Sequence, residues 1–362
     1  MKRTKMVAAL ACLAVPAPAL AEGGLNLYIW SDYITDAAIE RFAEEYDVDV
    51  TVDVYDSNET LEARMLAGGS GYDVVVPTAD FMQRQIAAGV YQPLDTAALG
   101  NLSNMDDGLM ARAATFDPGN EHGTIYMWGT TGIGYNIDMI AERLGEDYEV
   151  NSWELLFDPE IAAQVADCGI SVLDAPTEMI PAALAYLGRD PQSHSQDDLD
   201  AAAELYESVR ENIRYFHSSQ YIGDLANGEV CVSVGWSGDV FQAAARAEEA
   251  DRGVNVWYAI PQEGALVWFD MLAIPSDAPN VENAHLFIDY LMQPDVIAEV
   301  TNYVWYANAN RESWPLVDAE ITSDPAIFPS EEVMQRLFTG VTYTSREDRA
   351  LTRMWTRVRT GQ

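Results

Sequence analysis

Leu25, Leu27 and Ile29 alternate with Asn26 and Tyr28, the period-2 signature of a strand. The period then changes. Between Asp36 and Tyr46, Ala38, Ile39, Phe42 and Ala43 fall on one face of a helix. Val48 to Val54 alternates with Asp49, Thr51 and Asp53, which predicts a half-buried strand. Thr60 to Leu66 predicts a second helix, stopped at Gly68-Gly69-Ser70-Gly71. Tyr72 to Val76 reads as a buried strand ended by Pro77, and Phe81 to Ala88 as a third short helix. This β-α-β-α-β order predicts a parallel sheet with helices on its faces. Ligands of such sheets sit outside the carboxyl ends of the strands, where Trp30-Ser31-Asp32 and Pro77-Thr78-Ala79-Asp80 fall.

Thr130 to Asn136 is glycine-rich and lies between strand-like stretches, which predicts a crossing between two lobes. Its glycines do not make a dinucleotide fingerprint, because the third glycine and the strand-turn-helix setting are missing. A second α/β set follows. Helices are predicted over Ser152–Phe157, Met179–Leu187, Asp197–Glu211 and Val240–Glu249, and strands over Gly169–Leu173 and Val230–Val234. Val254–Ile260 and Ala265–Ile274 read as strands returning to the first lobe, and Glu331–Arg359 as a helical tail.

The N-terminus changes the compartment. Lys2, Arg3 and Lys5 precede an apolar run from Met6 to Val15, and Ala19-Leu20-Ala21 is a small-x-small cleavage site. This predicts a signal peptide over residues 1–21, an exported mature chain, and no lipid anchor, since Cys12 lies inside the apolar run. Two cysteines remain, Cys168 and Cys231. An even count in an oxidising compartment predicts one disulfide, with two buried free thiols as the alternative. About 340 mature residues exceed one typical core, so two domains are expected.

The formal charge is −38, and both lysines of the chain lie in the leader. A mature chain without lysine excludes Walker-type phosphate binding and Schiff-base catalysis. Its acidity argues against nucleic acid or an anionic membrane as partner and favours cations near the surface. Adaptation to a salty environment accounts for most of that charge.

Three distant segments repeat one chemistry, a large aromatic followed by a carboxylate: Trp30-Ser31-Asp32-Tyr33, Trp236-Ser237-Gly238-Asp239 and Trp268-Phe269-Asp270. Brought together, they form an aromatic box with several negative charges, suited to an organic cation on an apolar stem. Taken singly, each is a strand end with a core tryptophan and a solvated aspartate. The four histidines are scattered without metal spacing, and no nucleophile has a matched base. One enzymatic alternative remains, a secreted carbohydrate-active enzyme or sugar-binding protein. It would use tryptophan stacking with acid and base drawn from Asp32, Glu178, Asp239 and Asp270.

The runs Leu27–Ile34, Asp56–Glu59 and Tyr72–Pro77 resemble the periplasmic polyamine-binding proteins of ABC importers. The likeness continues through Tyr126–Asn136, Arg214–Tyr221, Val234–Asp239 and Tyr306–Asn310, over essentially the whole mature chain, and is strongest to the putrescine-binding branch. It implies an α/β, two-lobe periplasmic binding protein fold of type II. Each lobe would be a mostly parallel sheet flanked by helices, with the ligand in the interlobe cleft and one disulfide. Lobe 1 is expected over 22–129 plus 258–304, and lobe 2 over 130–257 plus 305–362.

The resemblance also implies a ligand set. Trp30, Tyr33, Trp236, Trp268 and Tyr306 would surround the methylene chain. Ser31, Asp32 and Asp270 would hold one ammonium with Asp239 lining the site, Glu178 would serve the other end, and Thr78 and Ser219 would add polar contacts. Ser31 and Ala175 match the putrescine-type choice, whereas Trp268 is the spermidine-type choice. Asp80 stands where the branch has a small polar residue, and Gly340 where it has a larger apolar one. The expectation is a monomer that binds putrescine, with spermidine at comparable or somewhat lower affinity, and delivers it to a membrane ABC permease complex. No cofactor, metal or catalytic residue is implied.

Overall fold

The computed structural model describes residues 23–361, so the predicted signal peptide lies outside the described residues. Eleven strands form one sheet: β1 (Gly24–Trp30), β2 (Asp49–Tyr55), β3 (Val74–Val75), β4 (Gly123–Asn136), β5 (Ile170–Val172), β6 (Ile213–Phe216), β7 (Val232–Trp236), β8 (Val256–Ala259), β9 (Leu266–Ala273), β10 (Ala307–Asn308) and β11 (Phe338–Thr339). The principal order is β2-β1-β3-β9-β4-β7-β5-β6.

β4 organises the molecule. At about 3.4 Å per residue its 14 residues reach roughly 45 Å. Its first part pairs with β9 and β10, and its last part with β7 and β8. On either side lies a parallel trio, β2-β1-β3 in one half and β6-β5-β7 in the other. All but one residue of β4 are buried, so the glycine-rich crossing at Thr130–Asn136 is continuous strand rather than a loop between strands.

Helices pack against the sheet in each half. Asp36–Tyr46 starts at Thr35, whose hydroxyl accepts from the Ala38 amide at 3.0 Å. It buries Phe42 against Phe287 and Tyr290. In the other half the C-terminal helix Ser345–Thr360 sets Trp355 edge-on to Tyr206 and Phe216. Among the described residues no helix is long and apolar enough to cross a membrane.

The predicted elements differ in four respects. β2 is the sheet edge, and Val52 and Val54 are exposed rather than half-buried. β8 pairs with Ile133–Asn136 in the second half, so only β9 returns to the first. The expected lobe switch at residue 258 therefore falls inside β8. The tail is not one helix: the helices Glu331–Met334 and Ser345–Thr360 are separated by β11, which pairs with β9. Finally, Ala307–Asn308 pairs with Met127–Trp128, Asn310 donates to the Met292 carbonyl, and Phe328 packs on Trp128. The chain from 305 to about 328 thus lies against the first half, where a second-lobe position was expected.

Candidate functional site

Both parallel trios aim their carboxyl ends at the same interior space. Trp30 ends β1, Thr78 follows β3, Thr177 and Glu178 follow β5, Ser219 follows β6, and Trp236 ends β7. This follows from strand direction, because residues after the last paired position of a parallel strand emerge at one edge. Asp270 comes from the middle of β9, and Tyr306 from just before β10.

Three carboxylates there are held by hydroxyl or indole donors. Asp270, 4% exposed, accepts from Tyr33 Oη at 2.8 Å and from Thr78 Oγ1 at 2.7 Å. Thr78 is itself fixed by Asn58, which donates to its hydroxyl at 2.8 Å and accepts from its amide at 3.1 Å. Asp239, in the first turn of the helix Ser237–Ala250, accepts from Tyr221 Oη at 2.8 Å and Tyr306 Oη at 2.7 Å. Glu178, in the first turn of the helix Pro176–Tyr186, accepts from Trp236 Nε1 at 3.1 Å and from the Thr131 hydroxyl.

Aromatic rings close the space from both halves. Trp30 meets Trp236 edge-to-face with centroids 5.6 Å apart, Tyr33 meets Tyr306 at 5.3 Å, and Trp268 meets Tyr306 at 5.3 Å. Gly238 allows this approach, since a Cβ there would lie 2.5 Å from the Tyr306 ring. The cavity measures about 140 Å³, and every ligand residue nominated from the sequence lines it. A single water needs about 10–15 Å³, so the space is large enough for several waters or one slender chain.

Burial dominates the electrostatics. It pushes Glu178 up to about 8, against the opposing hydrogen bonds from Thr131 and Trp236. It pushes Asp270 up to about 7, partly offset by Thr78 and Tyr33, and Asp239 up to about 6, partly offset by Tyr306 and Tyr221. Asp80 also rises to about 6 by burial, against its own helix-start amides and Arg84. Burial thus raises the proton affinity of each carboxylate, an entering cation opposes that shift, and the aromatic faces suit a cation with an apolar stem.

The nominated residues share the cavity, but not all in the expected groupings. Asp32 was expected to act with Asp270. It sits instead at the mouth, with its side chain 53% exposed, in the left-handed conformation at φ 55°, 3.5 Å from Arg246 of the opposite half. Ser31 is exposed, and its hydroxyl donates to the Tyr55 carbonyl at 3.3 Å. Ala175 is buried and lies outside the cavity lining.

Tyr221, Thr131, Asn58 and Arg246 carry contacts that the sequence did not assign. Tyr221 and Thr131 lie in the recognisable motifs, yet nothing local tells which carboxylate each hydroxyl meets. Among the described residues the one serine–histidine proximity, Ser219 to His217 Nδ1 at 3.4 Å, is a cap rather than a catalytic pair. That nitrogen already accepts from the Ser219 and Gln220 amides, each at 3.1 Å.

Comparison with known proteins places this geometry. Residues 37–329 match the family model described as bacterial extracellular solute-binding protein. The chain is 50% identical over 338 residues to the putrescine-binding periplasmic protein SpuD of Pseudomonas aeruginosa (strain UCBPP-PA14), covering 93% of this chain and 92% of that one. It is 47% identical over 355 residues to the putrescine-binding periplasmic protein PotF of Escherichia coli (strain K12), covering 98% and 96%. The solved structure of the TpPotD lipoprotein of Treponema pallidum superposes with a TM-score of 0.79 at 26% identity, over 93% of this chain and 99% of that one. The architecture is the type II periplasmic binding protein fold, two α/β lobes with a cleft between them. Matched over most of its length by the family model and nearly end to end by these relatives, the chain belongs to the bacterial extracellular solute-binding proteins.

Proposed function

We propose that this protein captures putrescine, or another short linear polyamine, in the periplasm and delivers it as a monomer to an ABC permease complex in the membrane. One observation carries the reading: Asp270, Asp239 and Glu178 face one cavity between aromatic rings, each already satisfied by neutral donors and, among the described residues, none in an ion pair. Asp270 and Asp239 hold one ammonium and Glu178 the other, while Trp30, Tyr33, Trp236, Trp268 and Tyr306 cover the methylenes. Thr78 and Ser219 add polar contacts, and Ser31 and Asp32 line the mouth.

The lobes exchange chain within β4 and β9, and the tail passes to the second lobe after Phe328. Each lobe alone presents half of the box, so a ligand touching both stabilises the closed form by differential contact. A neutral sugar would leave the sheltered carboxylates without a counter-charge, which is costly in a low-dielectric site. That weighs against the carbohydrate alternative. Native mass spectrometry of the freshly purified protein tests the reading. A co-purified species of diamine or triamine mass supports it. A protein that takes up no added polyamine under the same conditions contradicts it.

A further inference from the structure

Among the carboxylates of the cavity wall that are not exposed, one differs from the others. Asp270, Asp239 and Glu178 each accept from two side-chain donors, whereas among the described residues no side chain donates to Asp80. Arg84, one turn along the same helix (Ala79–Ala87), is taken up by Glu62, with both carboxylate oxygens engaged at 2.5 Å. Asp80 also raises the proton affinity of Asp270 and of Glu178 by charge repulsion, so it stands in the field of both.

Its position depends on a residue far along the chain. Gly340 follows β11, and a Cβ built there would lie 2.6 Å from Asp80 Oδ2 and 2.8 Å from Cγ. Gly340 has no positive φ, so its backbone does not require glycine. What requires glycine is the volume that the Asp80 carboxylate fills. The hydroxyl of Thr342, two residues on, donates to Gln83 Oε1 at 2.5 Å and lies 3.2 Å from the Asp80 carbonyl, which pins the tail against this helix start.

A diamine neutralises two charges, yet Asp80, Glu178, Asp239 and Asp270 all line the cavity, with the exposed Asp32 and Asp56 besides. We propose that Asp80, admitted by Gly340, is a subsite for a third ammonium, so that this cavity selects linear triamines over diamines. The proposal rests on the polyamine reading above and deepens it.

Calorimetric titration of putrescine and spermidine into wild type, Asp80→Asn and Gly340→Ala tests it, with the fold of each variant checked by circular dichroism. Asp80→Asn keeps the volume and removes the charge, and its spermidine-to-putrescine affinity ratio falls at least tenfold. Gly340→Ala pushes the carboxylate aside and lowers the same ratio, and the double variant loses no more than Asp80→Asn alone. A ratio within threefold of wild type in Asp80→Asn overturns the subsite, whether both affinities drop together or neither does. A wild-type protein that binds neither amine overturns the polyamine reading itself, and the subsite with it.

Discussion

At the scale of single residues, the site works by keeping carboxylates in a place where their charge is poorly solvated. Replacing Asp270 or Asp239 by asparagine preserves the shape and removes the counter-charge. Each change is expected to weaken putrescine binding at least tenfold, about 1.4 kcal/mol, as read by calorimetry. The raised proton affinities give a sign to the pH dependence. With Asp239 at about 6, Asp270 at about 7 and Glu178 at about 8, these groups take up protons as pH falls from 8 to 5. Affinity for a dication falls over that window, and binding at pH 7 releases protons. Calorimetry in buffers of different ionisation enthalpy measures that release directly.

Stability runs the other way in the unliganded protein. A carboxyl whose folded pKa is raised binds its proton more tightly when folded, so its contribution is lost as pH rises from about 4 through the folded value. Glu178→Gln removes that cost. Without ligand it is expected to melt at a higher temperature than wild type at pH 8.5, while binding putrescine more weakly.

Much of this chemistry was legible in the chain. The aromatic–carboxylate segments were nominated from the chain as one box, and the structure brings them to one cavity, two from strand ends and Asp270 from the middle of β9. What was not legible is partner choice. Tyr221 and Tyr306 reach Asp239 from separate elements, a relation fixed by how β7 and β10 pair with β4. Asp32 carries the right residue type beside Trp30, but the left-handed turn after β1 points it to the mouth and Arg246. At 3.5 Å, with side chains 44% and 53% exposed, that pair belongs to the class that contributes about 0–1 kcal/mol. Arg246→Ala is therefore expected to change putrescine affinity by less than about fivefold, in contrast to Asp270→Asn.

At the scale of elements, periodicity located the long segments well. Asp36–Tyr46 matches its apolar stripe from end to end, and the parallel strands lie where the short apolar runs put them. It failed where an element has no period. β10 and β11 are two residues each and exist only because β4 and β9 offer free edges. The sequence therefore read the tail as one helix. The disulfide belongs to this scale. Cys231 immediately precedes β7 and Cys168 lies two residues before its parallel neighbour β5, with Cα atoms 5.5 Å apart across a separation of 63 residues. Replacing both cysteines by serine is expected to lower unfolding free energy by about 2–4 kcal/mol, as read by denaturant titration, with ligand specificity retained.

At the scale of the whole molecule, one continuous sheet joins both lobes through β4 and β9, and the ring pair Trp30–Trp236 lies across the cleft. The two-lobe plan was readable from the repeated α/β order, whereas the lobe boundaries were not. They depend on which neighbours each short strand selects. A ligand that bridges the lobes shifts the population toward closure, so saturating putrescine is expected to reduce the radius of gyration in solution scattering.

The most direct test of the central claim is a calorimetric titration of putrescine into the wild-type protein and into Asp270→Asn at pH 8. The account predicts one saturable site in the wild type and at least a tenfold weaker one in the variant. No binding heat with putrescine or spermidine in the wild type, or equal affinity in the two proteins, would contradict it.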